Sequence, residues 1–215
     1  MASRAMARHG LAHAYGHVSA RLDEHRFIVS PAQPLGTVGI GDPCVVVPLE
    51  GDFPIDVLGE VRIHRAIYRR RPDVGGVCRF QSPSVMALSA LGETPRPLHG
   101  LGVYFAPRPP LWPDIRLVRD DGRAEQVAEL NGANAAIVLR GNGAVTVGAT
   151  LEEAAAFAFY LEDAARIEVA LLPARGGMSA PRVYTPEEAA ARGVKGGAII
   201  ERMWRYLCAD DPEWS

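Results

Sequence analysis

Glu60 and His64 stand four residues apart in GEVRIHRAIYRRR, so a helix through this stretch carries a carboxylate and an imidazole on one face with Ile63 and Ile67. Side by side, the two groups can hold and move a proton. Pro72-Asp73 ends that helix and Gly75-Gly76 turns the chain. Val77-Cys78-Arg79-Phe80-Gln81 then alternates with period two. The alternation predicts a short strand with Cys78 and Phe80 on one side and Val77, Arg79 and Gln81 on the other. Arginine on an inner strand is a fixed cation whose fork of N–H donors matches a carboxylate or a developing enolate, and Gln81 can orient the same oxygen. Ser82-Pro83 supplies an N-cap followed by proline at N1, so a second helix starts where the strand's polar residues end.

The rest of the chain has to position these groups. MASRAMARHGLAHAYG predicts an amphipathic helix ending near Gly16. His9, His13 and His17 fall four apart, but Gly16 stops the helix before His17 and no carboxylate joins them at regular spacing, so a helix followed by a turn outweighs a three-histidine metal site. Strands are expected over 18–22 and 26–30 about the turn Asp23-Glu24-His25, and over 44–48. The proline-rich stretch 96–113 reads as a long irregular loop of the kind that covers sites, and it carries His99 and Tyr104. A helix over 120–130 follows, then strands over 135–139 and 144–148 about Gly141-Asn142-Gly143. Asn142 reads equally as a turn residue tolerating positive φ or as a site residue. Thr150 and Thr185, each followed three residues on by glutamate, open two further helices as capping boxes. A last helix over 199–207 carries large aromatics suited to a contact surface between subunits.

The 215 residues, 48% apolar, can bury a full core as one domain over 1–215. A formal charge of −2 and a pI near 6.3 leave no electrostatic footprint for nucleic acid, and the one basic run, Arg69-Arg70-Arg71, suits a solvated helix C-terminus. Cys44, Cys78 and Cys208 are an odd number and widely spaced, which argues against a disulfide framework and fits a reducing cytoplasm. The longest apolar-rich run, 151–172, is broken by six charged residues, so no membrane span is expected.

Three stretches together resemble the class II aldolase/adducin family. They are Gly16-His17-Val18-Ser19-Ala20-Arg21, the E-x-x-x-H-x-x-I-Y-x-x-R-P-D-V run from Glu60 to Val74 with its following strand and Ser82-Pro83, and Leu139-Arg140-Gly141-Asn142-Gly143 through Gly148. They come in family order with family spacing. The resemblance implies a three-layer α/β/α fold with a central, mostly antiparallel sheet, and a homo-oligomer, a ring of four with sites between subunits. It also places Glu60, His64, His17 and Ser19 in the family's motifs and Arg79, Gln81 and Asn142 at its site positions, where their own chemistry suits a substrate acid. A tyrosine acid falls near Tyr104, which reads at least equally as a packed loop aromatic, and His99 either faces the same cavity or only satisfies a turn.

Metal-dependent members carry three histidine ligands where this sequence has Arg79, Gln81 and Asn142, so neither a family-type metal nor another cofactor is expected. Phosphate-using relatives place hydroxyl and glycine donors where this chain has Ala32-Gln33 and Leu58-Gly59. An anion site needs convergent donors, which argues against a sugar phosphate. The G-H-V-S version resembles the branch containing decarboxylases of hydroxylated aromatic acids. Two function classes follow. One is a metal-independent lyase, by decarboxylation or aldol-type cleavage, acting on a small unphosphorylated hydroxylated acid. The other is a non-catalytic, adducin-like scaffold.

Overall fold

Strand alternation sorts the side chains of one seven-stranded sheet onto two covered faces. The computed structural model describes residues 1–175 and 180–214. The strands are β1 (His17–Arg21), β2 (Arg26–Val29), β3 (Val45–Pro48), β4 (Gly76–Phe80), β5 (Leu111–Trp112), β6 (Ala136–Leu139) and β7 (Ala144–Gly148), in the order β3-β2-β1-β4-β7-β6-β5. All neighbours are antiparallel except the parallel pair of β5 and β6. The helices are α1 (Ala2–Arg8), α2 (Arg62–Arg70), α3 (Pro83–Ala90), α4 (Asp121–Asn131), α5 (Leu151–Leu171), α6 (Pro186–Arg192) and α7 (Ile199–Cys208).

One core joins Cys78 and Phe80 of β4 and Val18 of β1 to α1, α3, α5 and α7. The other joins Val77 of β4, Phe27 and Val145 to α2 and α4. This is the three-layer α/β/α arrangement, and it places Arg79, by alternation, on the α2 face. No helix among the described residues is long and apolar enough to cross a membrane.

Several local expectations need correction. Helix α1 stops at Arg8, and Gly10 at φ +69° turns the chain well before Gly16. Beyond it the backbone leaves helical geometry to reach the end of the central strand β4, where the Leu11 carbonyl accepts the Gln81 N–H at 3.1 Å. The three histidines therefore separate. His9 packs on Phe159 and Tyr206, His13 is exposed, and His17 is buried on β1. The loop over 96–113 holds a 3-10 turn at Gly102–Phe105 and the two-residue β5, whose partner strand lies far along the chain and which no local pattern marks. Arg69, Arg70 and Arg71 are not simply solvated: they meet Glu50, Glu125 and Asp73 respectively.

Thr185 and Glu188 form the expected capping box, but Thr150 forms half of one, because the Glu153 carboxylate takes the Ala149 N–H instead. Ser82 sits at the N-cap of α3 without a capping bond. Glu162 of α5 does the work from across the core, accepting the Ser84 and Val85 N–H groups at 3.1 Å each. A carboxylate at a helix N-terminus satisfies orphan donors and meets the positive end of the dipole. Glu162→Ala is expected to lower unfolding free energy by about 1–2 kcal/mol. A urea midpoint identical to that of the parent protein would remove Glu162 as the cap.

Candidate active site

The register between β1 and β4 sets His17 directly opposite Arg79, both on the face covered by α2. Leading into α2, a 3-10 turn at Gly59–Val61 carries Glu60 over the same strand. Arg79 Nη2 meets Glu60 Oε2 at 2.9 Å, with the arginine side chain 2% and the glutamate 14% exposed. Burial pulls the guanidinium below its ordinary pKa while Glu60 opposes that shift, and an arginine stays charged through any such change.

The turn between β6 and β7 completes this polar group. Gln81 Nε2 donates to Asn142 Oδ1 at 2.5 Å, and Asn142 Nδ2 lies 3.5 Å from Glu60 Oε1. Gly141 and Gly143 take the positive φ values, +65° and +81°, and Asn142 does not. The reading of Asn142 as the positive-φ residue is thus corrected, and its side chain is free for the site. Gly143 has a second reason to be glycine, since a Cβ there would fall 1.9 Å from the Phe80 carbonyl oxygen.

Behind His17 lies a buried hydrogen-bonded chain. His64 Nε2 pairs with His17 Nδ1 at 2.8 Å, and His64 Nδ1 pairs with the Ser19 hydroxyl at 2.6 Å. Tyr68 Oη is 3.0 Å from Ser19 Oγ and donates to the Ser19 carbonyl. Burial, then the nearby Arg79 charge, pushes His64 down to about 3. His17 is likewise held well below the usual imidazole range by burial, His64 and Arg79. Both rings are neutral at pH 7. His17 Nε2 is left without a partner. When Ser19 donates to His64, the His64 proton sits on Nε2 and His17 must carry its own on Nε2; with the chain reversed, His17 presents a lone pair there. His64, expected to move a proton itself, is fully buried and off the cavity wall, and it meets the cavity through its hydrogen bond to His17.

A cavity of about 360 Å³ opens on this group. Glu60, Arg79, His17 and Gly16 line its inner part, and Tyr15, Pro34, Leu58 and Arg119 are exposed lining residues. Arg119 was not legible from sequence, because it comes from the irregular stretch before α4. Tyr104 and His99 lie elsewhere. The 3-10 turn buries Val103 and sets Phe105 in the α5-side core, and Tyr104 follows, packing on Phe157 and Tyr160 and donating to the Val194 carbonyl. Tyr104 lines a separate, largely apolar cavity of about 520 Å³ that contains none of the polar group. His99, half-buried beside Asp163 of α5, is lowered by burial against the pull of that acid. Within one chain, neither residue joins Glu60 and Arg79.

A family model described as the class II aldolase and adducin N-terminal domain matches residues 1–169. The chain belongs to this family. Among curated relatives, the 3,4-dihydroxyphthalate decarboxylase of Arthrobacter keyseri is 26% identical, over 97% of this chain and 90% of its own length. Human beta-adducin is 31% identical over 59% of this chain, but over only 17% of the adducin. An aldolase II superfamily protein from Pseudomonas syringae superposes with a TM-score of 0.80 at 23% identity, covering 97% of this chain and 88% of that one, which speaks for the fold alone. Family membership thus brings both decarboxylase and adducin relatives, and the Arthrobacter decarboxylase is matched over most of its length.

The metal that the family resemblance implies does not fit this donor set. Arg79 places a permanent cation where a ligand would stand, Gln81 and Asn142 are bonded to each other, and Glu60 is paired with the guanidinium. Among the described residues no group of three His, Cys, Asp or Glu side chains could hold a metal ion.

Proposed function

We propose that this family member is a metal-independent carbon–carbon lyase, a decarboxylase of a small, unphosphorylated, hydroxylated carboxylic acid. One observation carries the reading: a buried guanidinium, with its Nε unpartnered, lines an open cavity beside a neutral imidazole whose Nε2 is also unpartnered. Arg79 holds an anionic oxygen of the substrate, Glu60 accepts the proton of a substrate hydroxyl, and Gln81 and Asn142 keep Glu60 oriented. As CO₂ leaves, the C–C bonding pair stays with the carbon that bore it, and Glu60 returns to that carbon the proton taken from the hydroxyl, after which the product's oxyanion takes a proton from solvent. His17, in the tautomer with Nε2–H, donates a hydrogen bond to the substrate and stays neutral. Aldol-type cleavage would use the same groups with a developing enolate on Arg79.

The Arg79–Glu60 ion pair also favours a second reading, a scaffold like the adducins, because a satisfied pair needs no ligand. The cavity beside it is not filled by the pair, which is why the enzyme reading is preferred. Incubation with a panel of hydroxylated aromatic acids, keto acids and sugar phosphates, following CO₂ release, separates the two. CO₂ from a hydroxylated acid is expected; binding without turnover of any panel member would leave the scaffold reading standing.

Metal content is a separate test of the same proposal. Protein purified without chelator is expected to hold well under one equivalent of transition metal per chain, since a cation within about 4 Å of Arg79 is repelled in a low-dielectric site. Stoichiometric zinc or manganese by elemental analysis would sink metal independence.

A further inference from the structure

The stretch Asp114 to Arg123 carries charges of both signs, and one of its cations is left over. Asp114 pairs with Arg116 and Arg123, Asp120 with Arg123, and Asp121 with Arg62 and Arg65. Among the described residues no carboxylate lies within ion-pair distance of Arg119, although it lines the same cavity as Arg79. Its stem lies across Gly59, where an added Cβ would meet Arg119 Cγ at 3.0 Å and Cβ at 3.3 Å. A larger residue at 59 would therefore displace the arginine, so the glycine and the arginine fit as a pair.

We propose that Arg119 is a second anion subsite and that the cavity takes a small dicarboxylic acid, with one carboxylate on Arg79 and the other on Arg119. This rests on the reading of Arg79 given above and goes beyond it by naming the substrate class. Arg79 shares its charge with Glu60 at the buried end, whereas Arg119 carries an uncompensated charge on an exposed side chain. A volume of about 360 Å³ suits a molecule of one ring bearing two acid groups. A phosphate on Arg119 is disfavoured, because Tyr15 alone among the lining residues offers a hydroxyl and the Gln33 amide is already donated to Asp42 and the Thr37 carbonyl.

The test compares two probes that differ by one carboxylate, 4-hydroxybenzoate and 4-hydroxyphthalate, by calorimetric titration of the whole protein and of Arg119→Gln and Arg79→Gln. The parent protein is expected to bind the dicarboxylate about tenfold more tightly, and Arg119→Gln to abolish that preference while leaving the monocarboxylate affinity within about twofold. An unchanged preference in Arg119→Gln, or equal weakening of both acids, overturns the second subsite while the Arg79 reading stands. Unaltered binding of 4-hydroxybenzoate in Arg79→Gln overturns that reading on its own. No binding of either acid to the parent protein overturns both. Phosphoglycolate binding more tightly than 4-hydroxyphthalate, and losing that advantage in Arg119→Gln, would assign the subsite to phosphate instead.

Discussion

Arg79→Gln is expected to weaken binding of a hydroxylated aromatic acid by about 10- to 100-fold and to reduce CO₂ release at least as much. The magnitude follows from a charge-assisted contact in a desolvated pocket, worth roughly 1.5–3 kcal/mol. Glutamine keeps a donor and approximate length but loses the charge and the fork. The substitution also strips Glu60 of its partner, so thermal unfolding must be followed beside binding. Lower stability with unchanged ligand affinity would show that Arg79 serves only to hold Glu60, which is what the scaffold reading requires. Loss of affinity in a variant that unfolds near the parent temperature is the expected result.

The second large effect is a pH dependence of stability that resides in His64. Its imidazole is pushed down to about 3 in the folded protein, against an ordinary value near 6.5 in the unfolded chain. Between these values the unfolded state binds more protons, so stability rises with pH through the window and is lost as pH falls below about 6.5. The loss levels off below about pH 3. Each pH unit inside the window takes roughly 1 kcal/mol, so acidification from pH 6.5 to 4 costs about 3 kcal/mol from this side chain.

Carboxylates titrate in the same range, and a variant removes them from the comparison. His64→Gln retains a donor and an acceptor toward His17 and Ser19 but does not titrate. The difference in unfolding free energy between parent and variant is expected to favour the parent near pH 7.5 and to move steadily toward the variant as pH falls to 4. A difference that stays flat across that range would mean that His64 is not held neutral by burial.

Local periodicity was enough to establish most of the fold. The three-four spacing of Ile63, His64 and Ile67 marked α2, the alternation around Arg79 marked β4, and both follow from contacts between near neighbours in the chain. The three motif blocks identified the family, and the structure and comparisons agree. The site was legible to the extent that it rides on those elements: Glu60, His17, Arg79, Gln81 and Asn142 do converge. Tertiary packing decided the rest. Only the β1–β4 register sets His17 against Arg79, and only the closing of α2 over the sheet removes His64 from solvent and bonds it to His17 and Ser19. His99 and Tyr104 went to the opposite face because their apolar neighbour Phe105 found its burial against Phe157 of α5. Arg119 stands at the cavity because every acid near it in sequence is claimed by another arginine, some of them on α2, a competition among distant residues that no local pattern can express.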